Sequence, residues 1–300
     1  MLAYPGAQEA AVLGLHDLLA TAIAQRPGDA TPAHVAVLRP DALPAYETPL
    51  TALILPPSLT GGPPLPLEAP VAHWLLERHQ EGATLCSVCV GAFLLAELGL
   101  LDGRPATTHW ALAAPFRARF PAVRLDVDRM VIDDGDIVTA GGVMAWVDLG
   151  LALAARWLGR EAATATARVL LVDPGGREQS FYRMFSPILT HRDAPILDVQ
   201  RWMQARFAKP VSVEEMAAHA GLSRRTFLRR FRKATGLTTS AYLQELRVQR
   251  ARELLEGTGL EPQEVAWRVG YEDAGSLRRV FVEKVGITPR EYRRRRSVQR

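Results

Sequence analysis

Two cysteines, one histidine and a run of arginines are the residues of this 300-residue chain whose types and spacing suit chemistry. Cys89 lies in LCSVCVGAFLLAELGL, Leu85 to Leu100, where an apolar run expected to end as a strand near Val88 meets a helical pattern that opens at Gly91. A side chain at such a turn stands at the end of a parallel strand and beneath a helix N-terminus, the layout of a nucleophile elbow. Backbone amides and the helix dipole at that place favour a thiolate. Ser87 stands where the usual first glycine would be, so a small buried cysteine at a strand end is the competing reading. Cys86 and Cys89 also form C-x-x-C, the spacing of a redox pair. Cys86 falls inside the apolar run rather than at the helix start, which argues against dithiol exchange. His109, in ATTHW, comes at the end of the next expected strand. Strand ends on one edge of an open sheet share a crevice, so Cys89 and His109 suit a thiol and imidazole pair; a surface or hydrogen-bonded core histidine is the alternative.

The second chemical stretch is SVEEMAAHAGLSRRTFLRRFRK, Ser212 to Lys233. Val213, Met216, Ala217 and Ala220 share one helical face, and Ser212 with Glu215 makes a capping box. Gly221 suits the left-handed end of that helix, and Ser223 can cap a second helix bearing Arg224, Arg225, Thr226, Arg229, Arg230, Arg232 and Lys233. Phe227 and Phe231 anchor the second helix on the first and leave Arg225, Thr226, Arg229 and Lys233 outward. A buried side that fixes the angle and a long polar side that fits a major groove make a helix-turn-helix. A solvated basic face on a helical bundle is the bland alternative. The unit recurs, however: shifted by about fifty residues, Phe231 meets Phe281, Arg229 meets Arg279, Gly236 meets Gly286, Thr238 meets Thr288 and Tyr242 meets Tyr292. The second copy places Asp273, Ser276, Arg278 and Arg279 in its own recognition segment. Between the copies, Ser240 to Leu255 reads as one helix able to hold both basic helices toward successive major grooves, about 34 Å apart. Arg225, Thr226 and Arg229 are candidates for base edges, and Arg230, Arg232 and Lys233 for phosphates.

These residues must be positioned by two cores, which the length accommodates. Residues 1 to 190 carry 13 Arg and no Lys against 19 Asp and Glu, a net of −6, whereas residues 191 to 300 carry 23 Lys and Arg against 13 Asp and Glu, a net of +10. A basic C-terminal third on an acidic body is the electrostatic footprint of nucleic-acid binding. The run Arg293 to Arg296 reads as a solvated tail. Two cysteines give no disulfide framework, and the N-terminus lacks a basic stretch followed by an apolar one, so a cytoplasmic protein without cofactor or metal is expected. In the first half, strands are expected at Met1 to Tyr4, His34 to Leu38, Ala52 to Leu55, Ala83 to Ser87 and near Ala106. Helices are expected at Glu9 to Gln25, Pro70 to His79, from Val90, over Trp110 to Ala118 and over Met144 to Leu158, and a hairpin at Met130 to Thr139. The chain begins within its first strand, so that element is expected to be incomplete. Alternating strands and helices imply an α/β fold with a mainly parallel, doubly wound sheet. Pro56 to Pro66 reads as a loop, and Val172 to Pro195 as a linker with a docking segment at Phe181 to Phe185.

Asp193 to Arg296 resembles the DNA-binding domain of the AraC/XylS transcriptional regulators, through VSVEEMAAHAGLSRRTFLRRFRKATGLTTSAYLQELRVQRARELL and VAWRVGYEDAGSLRRVFVEKVGITPREYR. Leu277 stands where that family usually has phenylalanine, and Gly275 weakens the first turn of the second recognition helix. Leu2 to about Ala163 resembles a DJ-1/PfpI domain, of the glutamine-amidotransferase-like fold, through LAYPG, SVCVGAFLLAELGLLDGRPATTHW and IVTAGGVMAWVDLGL. Ala11 stands where DJ-1 relatives place an acidic residue facing the cysteine, and Pro56, Pro57 and Ser58 where they have a P-G-G turn. Together the halves resemble the GlxA family of transcriptional regulators. The resemblance implies a sensor domain at 1–171, a linker at 172–192 and a DNA-binding domain at 193–298. It implies a regulator that binds double-stranded DNA and senses a small nitrogen-containing metabolite near Cys89 and His109 without turnover, with RNA polymerase as a further partner. The apolar helix Met144 to Leu158 on an acidic, Ala- and Leu-rich body suits pairing as a homodimer, the alternative being that it only covers the sheet. The competing function is a cysteine-dependent hydrolase or glyoxalase-type enzyme tethered to DNA. A nonspecific DNA-coating protein is disfavoured, because two spaced recognition helices are geometry for site selection.

Overall fold

The structure, a computed structural model, describes residues 1–26, 33–45, 48–60, 62 and 66–296. The chain divides into two units, Met1–Gln179 and a second beginning at Ser180.

In the first unit the strands are β1 (Ala52–Leu55), β2 (Thr84–Val88), β3 (Pro105–Ala106), β4 (Arg124–Leu125), β5 (Val131–Asp133) and β6 (Ile137–Ala140). Its helices are α1 (Glu9–Ala24), α2 (Ala69–Gln80), α3 (Gly91–Glu97), α4 (Ala113–Arg119), α5 (Trp146–Trp157) and α6 (Arg160–Val169). The main sheet runs β1-β2-β6-β5, with β1, β2 and β6 parallel and the β5–β6 hairpin antiparallel. β3 and β4 form a short parallel pair. All five residues of β2 are buried, as a central parallel strand covered on both faces requires. Alternation along the strands sorts the core. Leu53, Leu55 and Leu85 face α2, α3 and α4, with Trp74, Phe93 and Phe116. Ile54, Cys86 and Val88 face α1 and α5, with Leu15, Leu149 and Leu153.

The mainly parallel α/β architecture expected from the sequence is therefore present. Met1 to Tyr4 and His34 to Leu38 form no strand among the described residues and meet at the bridge Leu2 to Leu38, while Leu2 N–H donates to Ile54 O of β1 at 3.0 Å. Pro40 follows with no N–H to extend the ladder. Two elements escaped the sequence reading. α6 buries only Ala162, Ala163, Thr166 and Ala167, which make no strong apolar stripe. β4 is two residues long. Of the expected loop 56–66, residues 61 and 63–65 lie outside the described residues.

The second unit is all helical: α7 (Ala194–Arg206), α8 (Val213–His219), α9 (Arg224–Thr235), α10 (Thr239–Gly257), α11 (Pro262–Arg268), α12 (Ala274–Val285) and α13 (Pro289–Arg296). It has two cores, one of Met216, Phe227, Phe231 and Tyr242 with α7, the other of Val265, Leu277, Phe281 and Tyr292 with the second half of α10. The duplication holds at the level of ring pairs: Phe231 meets Tyr242 edge-on at 5.3 Å, and Phe281 meets Tyr292 edge-on at 5.4 Å. α7 was not legible, because its buried stripe of Ile196, Val199 and Met203 includes a wholly buried Gln200. In the arginine run 293–296, Arg294, Arg295 and Arg296 are exposed, as a solvated run would be, while Arg293 is half-buried. The run ends α13, and Arg293 donates to the carbonyls of Leu255 (3.3 Å) and Leu260 (2.5 Å), fastening that helix to the end of α10. The unpaired carbonyls at a helix end are natural acceptors for a guanidinium.

The stretch 172–192 is held in two parts. Met130 N–H donates to Glu178 (2.9 Å) and Gln179 N–H to Asp128 O (2.8 Å) in the first unit. In the second, Arg252 donates to Ser180 O at 2.7 Å and Phe181 packs on Tyr292 at 5.3 Å.

The passage from β2 to α3 leaves no room for a side chain at Gly91, since a Cβ there would lie 2.7 Å from the backbone oxygen of Leu55. Gly91→Ala is expected to cost about 1–3 kcal/mol by overpacking. A lower midpoint for loss of the first unit in denaturant titration, with the second unit unchanged, checks this.

Candidate nucleic-acid interface and ligand crevice

In the second unit, Ser212 and Glu215 cap α8 reciprocally: Ser212 N–H donates to Glu215 Oε2 at 2.8 Å, and Glu215 N–H to Ser212 Oγ at 3.1 Å. Hydrogen bonds from the Ser212 N–H and hydroxyl, both 2.8 Å to Oε2, hold the Glu215 carboxyl below its ordinary range. Gly221 turns the chain at φ +64°, and Ser223 caps α9 through Thr226 N–H. Phe227 and Phe231 are fully buried, which fixes the rotation of α9 about its axis. That rotation puts Arg225, Arg229, Arg232 and Lys233 on one exposed face, and among the described residues none of the four has an ion-pair partner.

The other residues expected in this interface are differently placed. Thr226 is half-buried, and its hydroxyl accepts from Ser223 Oγ at 3.0 Å. Arg224 is exposed and pairs with Glu214 at 2.9 Å. Arg230 turns to α7, where Nε and Nη2 donate to the two Asp193 oxygens at 2.9 and 2.6 Å. Hydrogen bonds from Arg230 hold the Asp193 carboxyl below its ordinary range. Asp193 also caps α7 through Ile196 N–H, so one carboxylate ties α9 to the start of α7.

The second recognition helix is built alike and charged differently. Asp273 caps α12, accepting from Ser276 N–H at 2.8 Å and Ser276 Oγ at 2.9 Å, bonds that hold its carboxyl low. Arg278 and Arg279 are exposed. Aligned by the repeat, Arg224, Arg225, Arg232 and Lys233 face Ala274, Gly275, Val282 and Glu283. The outward side of α12 thus keeps Arg279, gains Arg278, and shows Val282 38% exposed.

In the first unit, Cys89 sits at the elbow with φ +56°, a strained backbone for a residue with a Cβ. Its N–H donates to Ala140 O at 2.8 Å, and its carbonyl accepts from Thr108 Oγ1 at 2.7 Å. The thiol is 2% exposed among Val88, Val90 and Leu149, and burial pushes its pKa up to about 11 despite a hydrogen bond from the Val90 backbone. The expected thiolate is therefore a thiol at neutral pH, because α3 is short and, among the described residues, no cation offsets desolvation. Cys86 is wholly buried and free, its pKa pushed up to about 12 by burial.

Thr108 brings the Thr107–Trp110 segment to the same sheet edge as Cys89. His109 caps the short turn that follows: its Nδ1 accepts from Ala111 N–H at 3.1 Å. A backbone N–H can only donate, so Nε2 carries the proton, and burial lowers the ring's pKa, keeping it neutral. No hydrogen bond joins His109 to Cys89 among the described residues. An imidazole in this tautomer offers a donor and cannot take the thiol proton at Nε2. Ala11 is fully buried and supplies no carboxylate.

Sequence reasoning missed Gln179. It is 1% exposed, and its amide donates to Thr107 Oγ1 (3.0 Å), Thr108 O (3.0 Å) and Arg129 O (2.9 Å) while accepting from Trp110 N–H (3.2 Å). A Cβ on Gly141 would lie 1.9 Å from this amide, so Gly141 leaves the space it fills. A lone glutamine in a proline- and glycine-rich stretch carries no periodic signal. Arg252, 5% exposed, was legible in principle as a charge on the Val248, Arg252 and Leu255 stripe of α10.

Because burial pushes its pKa up to about 11, Cys89 holds little thiolate at pH 7. Iodoacetamide at pH 7 is expected to leave it unmodified in the folded chain and to label it on unfolding, with labelling of the folded chain rising toward pH 11. Rapid alkylation of native Cys89 at pH 7, seen by peptide mass spectrometry, would contradict this.

The model of a helix-turn-helix domain matches residues 216–295, and that of the DJ-1/PfpI family residues 45–156. The HTH-type transcriptional regulator GbdR of Pseudomonas aeruginosa is 30% identical over 73% of this chain and 60% of its own length, so the chain spans less than two thirds of that relative. ArgR of the same organism is 33% identical over 74% of this chain and 68% of its own, and GlxA of Rhizobium meliloti 30% identical over 75% and 69%. All three are named as HTH-type transcriptional regulators. With both domain models in this order and relatives matched across the two, the chain belongs to the transcriptional regulators that join a DJ-1/PfpI domain to an AraC-type helix-turn-helix domain, the group that includes GlxA.

Proposed function

We propose that this protein binds duplex DNA site-specifically through α9 and α12 and that a small nitrogen-containing metabolite, held without turnover near Cys89 and His109, alters that binding. The observation that carries the reading is the set of four cations on one exposed face of α9, none with an ion-pair partner among the described residues, beside a second helix of the same build, α12, that exposes Arg278 and Arg279. Arg225 and Arg229 suit guanine edges, and Arg232 and Lys233 suit phosphates. Arg230, engaged with Asp193, sets the angle of α9 rather than touching DNA. Asp273 and Ser276 cap α12, while Arg278 and Arg279 are its DNA contacts. α12 carries less charge, so α9 supplies more of the salt-dependent affinity. RNA polymerase is a further partner in this reading, and the cytoplasm its place.

On a DNA fragment selected by the protein, Arg229→Ala is expected to lose about 1–3 kcal/mol of discrimination at one base pair. Arg232→Ala should lower the slope of log K against log salt by about one with site preference kept. Unchanged affinity and preference in Arg229→Ala would overturn the assignment of the α9 face. Arg230→Ala should lower the thermal stability of the second unit more than it changes the salt slope.

The sensor reading of the first unit is supported by a thiol that stays protonated, an imidazole presenting Nε2–H, and Ala11 in place of a carboxylate. Such a wall can donate a hydrogen bond to a ligand but lacks a base for the thiol. Cys89→Ser should blunt the effect of the metabolite on DNA binding. Steady multiple turnover of an amide or 2-oxoaldehyde, abolished by Cys89→Ser, would favour the enzyme instead. Pairing of two chains through the first unit would double the recognition helices on a repeated operator. Light scattering at micromolar concentration is expected to give twice the chain mass, and a monomer mass with and without DNA would remove the dimer.

A further inference from the structure

A cleft of about 490 Å³ in the first unit is lined by neither Cys89 nor His109. α5 turns Leu151, Ala152 and Ala155 toward it, and α6 turns Arg160 and Ala163. The short alanine side chains leave space above an apolar floor. The charges around this floor do not cancel, since three arginines, Arg129, Arg160 and Arg177, stand against Asp148 and Glu178. Arg177 is matched to the buried Asp148 through a two-point contact. Glu178 already accepts Met130 N–H at 2.9 Å, and Arg129 lies at a looser 3.5 Å from its other oxygen. Arg160 has no acceptor among the described residues, and it opens α6 behind Gly159, which offers no side-chain cap.

One surplus positive charge above an apolar floor is a site for a monoanion with a compact apolar body. A planar carboxylate matches a guanidinium in two-point geometry, whereas a dianion would meet the fixed charges of Asp148 and Glu178. We propose that this cleft binds a small organic carboxylate, with its acid group on Arg160 and Arg129 and its body against Leu151, Ala152 and Ala155. The ligand would also rest on the Pro174–Glu178 strap, which forms one wall and runs directly into the buried Gln179. In taking Arg129 it competes with Glu178, so occupancy changes how that strap is held. The site is separate from the crevice at Cys89.

The test uses the full chain without DNA, so its outcome is independent of the DNA-binding reading. Calorimetric titration with benzoate at millimolar concentrations is expected to give saturable binding of one molecule per chain. Benzamide, equal in shape but uncharged, should bind at least about tenfold more weakly. Arg160→Gln should weaken benzoate by a similar factor, and Ala152→Phe, which fills the floor, should abolish binding in a chain whose circular dichroism is unchanged. Cys89→Ser and His109→Ala should leave benzoate binding intact. The proposal fails if benzoate shows no saturable binding, if benzamide binds equally, or if the signal survives Arg160→Gln and is lost in the Cys89 and His109 variants.

Discussion

The amide of Gln179 ties together two backbone stretches, Thr107–Trp110 and the one that carries Arg129. Carbonyls of Thr108 and Arg129, the Thr107 hydroxyl and the Trp110 N–H converge on one side chain in a nearly dry pocket. The Thr107 hydroxyl also donates to Arg129 O at 3.0 Å, and the glutamine supplies in one side chain the acceptor for Trp110 N–H and a donor to both carbonyls, where losing a buried partner costs about 1–3 kcal/mol. The consequence reaches the elbow, because Thr108 also holds the Cys89 carbonyl. The strand end that carries His109, the turn that carries Cys89 and the last residue of the first unit are thereby parts of one hydrogen-bonded set. Ser180, the next residue, is fastened within the second unit by Arg252.

The second unit shows how one architecture is reused with different surface chemistry. Both copies keep an aromatic or leucine pair under the recognition helix, an edge-on tyrosine behind it, a left-handed glycine at its end and an oxygen cap at its start. These are the positions that set helix angle. The outward positions are free of that constraint, and there α12 has alanine, glycine, valine and glutamate where α9 has three arginines and then a lysine. Leu277 in place of phenylalanine is fully buried, so its core is filled by a smaller side chain without exposing the floor. The asymmetry therefore lies in contact chemistry rather than in fold.

Much of this was legible along the chain. Alternating apolar runs and helical stripes determined the parallel α/β sheet, and the repeat of Phe, Gly, Thr and Tyr at a fixed offset determined the paired helix-turn-helix units, because period and capping are local properties. The capping box at Ser212 and Glu215 and the outward arginines of α9 followed from the same periodicity. What only the tertiary structure decided are quantities set by partners distant in sequence. Arg230 faces Asp193, 37 residues away, and so is withdrawn from the surface that its helical position suggested. The Cys89 thiol stays protonated because α1, α5 and the neighbouring strands bury it, which outweighs the helix terminus that sequence position alone implied. The tautomer of His109, the role of Gln179 and the charge surplus over the α5 and α6 cleft likewise depend on which groups meet in space. Burial and hydrogen-bond partnership are assigned by packing, and no periodic pattern in the chain encodes them.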